Sequence, residues 1–558
     1  MTLLYLHRNL FWLHSNLFLL LCQQVIKMNP LHNEYILAID HGTSGLKVAL
    51  VNTYGKIIDF EYSPTPTHYF PDGGAEQDPE DWWQAFLRAT KRLLAKDSVV
   101  RKDIIAISVS STFSSTVAVD RSGTPLMNCL TWMDSRGAPY VKSLIGKFPR
   151  IAGYNLFKVM KWIYYTGGGP QLSGKDDIAH VIYIQNKHPD IYEKTYKFLS
   201  SKDFLNLRLT GKFAASYDSI MLFWVTNTRD INNIHYSDSL IGSLGIDREK
   251  LPDLMHSVDI LGTVKPELAN ELGIGKDIKV VLGSPDHQAA LLGSGAVKDF
   301  EGHVYIGTSS WIECIVPFKK TDMFHSIASL PSAIPGKYQC INEQDIAGGC
   351  LSFLLNNIIL HENEFYTGKQ PADPYDKLNK MAGRVSPGSD NLIFTPWLNG
   401  ERTPVDSTTL RGGFHNISLR TTADHIARAV LEGVAYNTRW SLHYVEKFIE
   451  QRMDPLNFIG GGARSDLWCQ IFSNVMNRQI RRVQDPIEAN CRGAALIASV
   501  GLGRILFSDI SMLIEYDNIF EPEKDIQKVY DGLYQAFRDI YRKNKNIYYQ
   551  LNRRYDFK

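Results

Sequence analysis

No two of the cysteines in this 558-residue chain form a Cys-x-x-Cys pair. The seven, Cys22, Cys129, Cys314, Cys340, Cys350, Cys469 and Cys491, are scattered and odd in number, so neither a zinc site nor a disulfide framework is indicated and a reducing, cytoplasmic setting is expected. Charge of one sign is lacking too. Lys and Arg number 60 against 59 Asp and Glu, a formal net charge of +1, which gives no reason to expect nucleic acid or an anionic membrane as partner. Nor is there an apolar run long enough to cross a bilayer. The stretch from Leu10 to Cys22 is interrupted by His14, Ser15 and Asn16 and falls short of the roughly 20 residues that crossing requires. Hydrophobic residues make up 44% of the chain, enough at this length to bury two good-sized cores.

What is present is glycine and hydroxyl chemistry between apolar runs. Tyr35-Ile36-Leu37-Ala38-Ile39 leads into Asp40-His41-Gly42-Thr43-Ser44-Gly45, and a second alternating run, Leu46 to Val51, leaves it, so the segment predicts a β-hairpin. Such a turn can hold a nucleotide phosphate. Glycines allow close backbone approach, Thr43 and Ser44 add hydroxyl donors, Asp40 can hold a divalent cation and Lys47 is placed as an extra positive charge. Ordinary surface turns use the same residues. The weight comes from a second copy about 265 residues on, where His303 to Ile306 runs into Gly307-Thr308-Ser309-Ser310 and Trp311 to Val316 leaves it. The repeat predicts two related halves facing one another, each with one phosphate loop and a nucleotide between them.

Two further segments carry chemistry. Asp286 lies between the apolar Ile278 to Leu282 and the helix-like Gln288 to Leu292, where it reads equally as a general base or as the cap of that helix. Gly460-Gly461-Gly462-Ala463 follows the apolar Leu456 to Ile459. Three glycines let backbone lie flat against a planar ring, although a tight strand-to-helix turn uses them as well. Ser465 or Asp466 is placed to cap the next helix and to reach a nucleotide.

Taken in order, these motifs resemble the FGGY carbohydrate kinases. The resemblance runs from about Tyr35 to about Gly503. It also rests on Ser201-Lys202-Asp203-Phe204-Leu205-Asn206-Leu207-Arg208-Leu209-Thr210-Gly211, Leu398-Asn399-Gly400-Glu401-Arg402-Thr403-Pro404 and the segment from Ala427 to Ala435. It implies an α/β chain of two domains with the actin/Hsp70/sugar-kinase (ribonuclease H-like) fold, a duplicated core and a cleft between the domains. It implies ATP and Mg2+ as well. Gly42, Thr43, Ser44, Lys47, Gly307, Thr308 and Ser309 would meet the phosphates, Gly461, Gly462, Ala463 and Asp466 the adenosine, and Asp40 the metal, with Asp286 as base. Glu401 and Arg402 have an alternative as a domain-hinge ion pair and are assigned no chemical step.

At the sugar the chain departs from the family pattern. Xylulokinases carry a GQMHG segment and glycerol kinases NQRE, whereas this chain reads Val109-Ser110-Ser111-Thr112-Phe113-Ser114-Ser115, so the usual Met and His align with Phe113 and Ser114. A core aromatic and a turn residue are equally open readings for these two. His287 follows the base where Asn or Gln is usual, and Trp132-Met133-Asp134-Ser135-Arg136 resembles the family's WNDQR, bringing Trp132 and Asp134 to the sugar. The implied reaction phosphorylates a primary hydroxyl of a small sugar, D-xylulose first, with another pentulose, a polyol or a tetritol as alternatives. From another class stands an actin- or Hsp70-like ATPase or a non-catalytic nucleotide sensor. Asp286 in its sugar-kinase context counts against both.

The expected domains are residues 35–279, binding sugar and phosphate, and 280–505, binding ATP. A helical tail is expected over 506–558, read as solvated, with a homodimer contact as a further use. Residues 1–34 are expected to be a non-catalytic extension, with Met28 as candidate first residue. Arg8 and the run Leu17 to Cys22 outline a signal peptide, but export would part the enzyme from ATP. Helices are expected at Pro79 to Leu94 and Thr422 to Phe448.

Overall fold

The computed structural model describes residues 34–362, 368 and 371–553, so the expected N-terminal extension lies outside the described residues except for Glu34. Two mixed sheets organise the chain. The first has six strands in the order Ile260–Thr263, Lys279–Pro285, Ile104–Ser111, Tyr35–Gly42, Gly45–Asn52 and Ile57–Pro64. Its hairpin is antiparallel, with Asp40 opposite Lys47 and Gly42 opposite Gly45. Tyr35–Gly42 also runs parallel to Ile104–Ser111, which runs parallel to Lys279–Pro285. Parallel strands end at a common edge, so Asp40, Ser110 and Ser284 come to one side of the sheet, with Asp286 just beyond.

The second sheet repeats this plan within eight strands: Thr321–Asp322, Ile327–Pro331, Tyr338–Ile341, Ser310–Val316, Gly302–Ile306, Leu456–Ile459, Ile480–Val483 and Tyr516–Phe520. Gly302–Ile306 and Ser310–Val316 form the antiparallel hairpin, and Gly302–Ile306 runs parallel to Leu456–Ile459. The duplication read from two Gly-Thr-Ser turns is therefore present in the strand pairing.

Between the sheets lie two helices rich in Ala and Gly, Asp286–Ser294 and Ala489–Gly501. They share a core with Ile36, Ala38 and Val281 of the first sheet and Ile459 and Val483 of the second. Their contact is reciprocal. A Cβ on Gly293 would collide with the carbonyl of Ala489, and one on Gly493 with that of Ala289. The outer face of the first sheet is covered by Pro79–Leu94, whose Trp82, Phe86 and Leu93 are fully buried and whose first turn is capped by Asp78 accepting from the Glu80 amide at 2.8 Å. Ala423–Ile449 does the same for the second, packing with Phe458 and Phe472. A further five-stranded sheet and the helices Leu156–Thr166 and Asp177–Lys187 build out the first half.

Two expected boundaries are corrected. A division between 279 and 280 would cut off Lys279–Pro285, which is a strand of the first sheet. Nor are the described residues of the expected tail, 506–553, a solvated appendage. Tyr516–Phe520 is the edge strand of the second sheet, and Gln527–Asn552 buries Tyr530, Leu533, Tyr534 and Phe537 in the second core. The amphipathic pattern indicates a buried face without saying what it packs on. Among the described residues no helix is long and apolar enough to cross a membrane.

Candidate active site

The second hairpin meets the first half next to Asp286, where its Trp311 stacks on the His287 ring and its Tyr305 on Trp311. In the first Gly-Thr-Ser turn the Thr43 hydroxyl accepts from the Trp132 indole at 3.0 Å, the Thr43 carbonyl accepts from Gln77 at 2.7 Å, and the Ser44 carbonyl accepts from the Tyr62 hydroxyl at 2.7 Å. The turn is thus held from outside, while Ser44 remains exposed. In the second, Ala347 donates to the Thr308 carbonyl at 2.7 Å and Gly348 to the Gly307 carbonyl at 2.8 Å. Lys47 stands opposite Asp40 in the first hairpin and is engaged by the other half of the chain. Its ammonium donates to the Ile487 carbonyl at 2.8 Å and lies 3.8 Å from Glu488, tying the first hairpin to the other half.

Burial pushes the Asp40 carboxyl up, with Lys47 and an Asn490 amide at 3.4 Å opposing. The Asn490 carbonyl oxygen is buried and has no hydrogen-bond partner among the described residues. The Asp40 carboxylate is a donor of the kind a hard divalent cation such as Mg2+ takes, and turning the Asn490 amide over would present its unpaired oxygen to the same place.

Asp286 is the first residue of its helix, after Pro285, and its Oδ1 accepts from the His287 amide of that first turn at 2.9 Å. Burial raises its pKa to about 7, the charges of Asp40 and Glu343 adding to the rise and the His287 imidazolium opposing it. Next to it, burial disfavours a charged His287 ring, but the Glu313 carboxylate 2.7 Å from Nδ1 outweighs this and raises His287 to about 9. Glu313 also accepts from Gln339 at 2.8 Å. The His287 ring stacks on Trp311 at 4.1 Å, Trp311 stacks on Tyr305 at 3.9 Å, and Phe113 lies 5.8 Å from His287 on the other side. Four rings from both halves thus form one column beside Asp286.

Ser114 is a turn residue with φ 61°, and its hydroxyl donates to the Lys175 carbonyl at 2.8 Å. Phe113 packs against the core of the built-out region as well as beside His287. Asp134 is fully buried and bound by Arg136 and the Ala75 amide, so it braces the segment that carries Trp132. Arg402 pairs with Glu343 and Asp345 rather than with Glu401. At the glycine-rich turn, Gly460 (φ 90°) and Gly462 press on Ile306, whereas a Cβ at Gly461 would meet no atom within 4 Å. Gly461 is therefore the position free to lie against a ring. Ser465 caps the next helix, accepting from the Trp468 amide at 3.1 Å, and Asp466 pairs with Arg482.

Residues 35–293 match the N-terminal domain of the FGGY family of carbohydrate kinases and residues 303–502 its C-terminal domain. The chain belongs to this family. This FGGY kinase is 28% identical over 522 residues to a xylulose kinase of Staphylococcus epidermidis, covering 92% of this chain and 98% of that one. It is 29% identical over 520 residues to a gluconokinase of Bacillus subtilis, covering 93% and 97%. Its fold is that of a gluconate kinase from Lactobacillus acidophilus, with a TM-score of 0.80 at 24% identity over 93% of this chain and 99% of that one. A ligand-bound xylulose kinase from the same organism gives the same score and identity, covering 93% and 100%.

Sequence reasoning missed several groups that stand around Asp286 in this kinase: Trp311, Glu313, Gln339 and Glu343. Glu313 carried a signal, since one acid in the otherwise apolar strand Ser310–Val316 requires a buried partner. Trp311 lies in that same strand, where it reads as one more apolar residue, and Gln339 and Glu343 sit in segments with no recognisable pattern.

Proposed function

We propose that this carbohydrate kinase transfers the γ-phosphoryl group of ATP to a primary hydroxyl of a pentulose, with D-xylulose the first candidate. The observation that carries the reading is the placement of Asp286, just past the sheet edge that also bears Asp40 and beside the ring column. Transfer to an alcohol needs donors around the phosphates, a metal and a carboxylate to accept the hydroxyl proton. Gly42 to Ser44 and Gly307 to Ser309 offer backbone and hydroxyl donors, and Gly461 offers a flat face for adenine. Asp40 and Asn490 would hold Mg2+, which would supply neutralisation of the negative charge on the phosphates. Asp286 takes the proton as the oxygen attacks, and a pKa of about 7 suits a base working near neutrality. The ring column gives the sugar an apolar wall, while the cation of His287 provides a polar end.

A second reading, an aldonate such as D-gluconate, is favoured by the 29% likeness to a gluconokinase. The test is ADP release with Mg-ATP against ketopentoses, aldoses, aldonates, pentitols, tetritols and glycerol, with Asp286→Ala as control. D-Xylulose should give a strong response that the variant loses. A response confined to D-gluconate would overturn the pentulose assignment, and no response to any acceptor would overturn the small-sugar reading.

A further inference from the structure

The strand that ends at Asp286 is not regular. Val281 faces Ser108 of the neighbouring strand and Ser284 faces Ser110, so Leu282 and Gly283 together oppose one residue, Val109. This is a β-bulge, a device that bends a strand and re-aims the residues after it. Gly283 has φ 72°, and a Cβ there would collide with the Val109 carbonyl. On the other edge the Leu282 and Gly283 amides donate to the carbonyls of Asp259 at 3.0 Å and Ser257 at 2.9 Å.

The Leu282 carbonyl is held by side chains. The Asn206 amide donates to it at 2.7 Å and the Lys202 ammonium at 3.3 Å, both from the helix Ser201–Thr210 and both fully buried. Lys202 is fixed by its ion pair with Asp203, whose other oxygen accepts from Ser200 at 2.7 Å and Ser219 at 3.0 Å. Two residues before Asp286, Ser284 donates to Asp218, which also accepts from Ser257 at 2.8 Å. These buried polar groups converge on the bulge, where the Asn206 amide nitrogen is engaged while its side-chain oxygen has no hydrogen-bond partner among the described residues.

We propose that Asn206 and Lys202 are positioning residues for Asp286. By holding the Leu282 carbonyl they fix the bulge and so set where the carboxylate points. This rests on the assignment of Asp286 as base. Asn206→Leu keeps the size and removes the donor. We expect its kcat to fall by about 10²-fold, the scale of a misplacement near 1 Å, with the KM for ATP within twofold of wild type.

A purely structural role is separated in two ways. Leu209→Ala on the same helix, chosen for its core packing, should lower Tm while keeping kcat. In an Asp286→Ala background, Asn206→Leu should lower the residual turnover no further. If Asn206→Leu retains kcat, loses no more than Leu209→Ala, or adds its full loss to Asp286→Ala, the positioning role is overturned. Asn206→Ser, too short to reach Leu282, carries the same expectations should the leucine variant not fold. Wild-type turnover measured alongside distinguishes the readings: absence of sugar-dependent ADP release there would defeat the kinase function itself, not the role of Asn206.

Discussion

At the scale of single residues, Asp286 and His287 are neighbours whose environments push them to opposite charge. Burial raises Asp286 to about 7, and Glu313 raises His287 to about 9 against the penalty of burial. Because a base must be deprotonated, kcat/KM should rise with pH and level off above about 7, and a profile flat between pH 5.5 and 8.5 would defeat the assignment of Asp286. Stability should move the other way. The carboxyl ionises near 3.8 in the unfolded chain but only near 7 in the folded one. The unfolded state therefore loses its proton first, and stability falls as pH rises across that window. Asp286→Asn removes the ionisation. Its Tm should exceed that of wild type at pH 8 and approach it at pH 4, measured by thermal melts, while turnover falls by about 10²-fold or more.

At the scale of elements, the pair Asp286–Ser294 and Ala489–Gly501 decides how closely the two sheets approach. In an isolated helix Gly493→Ala would gain about 1 kcal/mol of propensity. Here the new methyl meets the Ala289 carbonyl, backbone that cannot swing aside, so the helices must part. We expect a net loss of about 1–3 kcal/mol, seen as a lower Tm, whereas Gly532→Ala, with nothing near its Cβ position, should not lower Tm.

The two hairpins and the helices Pro79–Leu94 and Ala423–Ile449 were legible in the sequence, because turn residues between alternating runs, and apolar faces behind caps, are local signals. The pairing of Lys279–Pro285 with the first sheet was not, since periodicity says that a strand exists and not which strand it joins. The burial of Gln527–Asn552 was missed for the same reason. At the site, the repeated Gly-Thr-Ser turns stood out by composition, whereas Asp286 read equally as base or cap and was assigned as base by resemblance. The engagement of Lys47 by Ile487 and Glu488 and of Arg402 by Glu343 and Asp345 depends on chain brought from far away.

At the scale of the whole molecule, the segment 486–492 joins the halves. Lys47 holds the Ile487 carbonyl, Asn490 reaches Asp40, and Arg492 donates to the carbonyls of Gly55 at 3.0 Å and Gln484. These bonds lie beside the helix pair, and we expect the two halves to move relative to one another as a pivot about it. Such a motion matters because water beside the γ-phosphate competes with the sugar hydroxyl, and Asp286 would activate either one. A kinase that closes only on sugar should hydrolyse ATP slowly without it, by about 10²-fold or more below the transfer rate, the scale that positioning of the nucleophile supplies. Small-angle scattering should then show a smaller radius of gyration with sugar and a non-hydrolysable ATP analogue together than with either alone. ATP hydrolysis as fast without sugar as with it, at unchanged radius, would mean that the two halves do not gate the reaction.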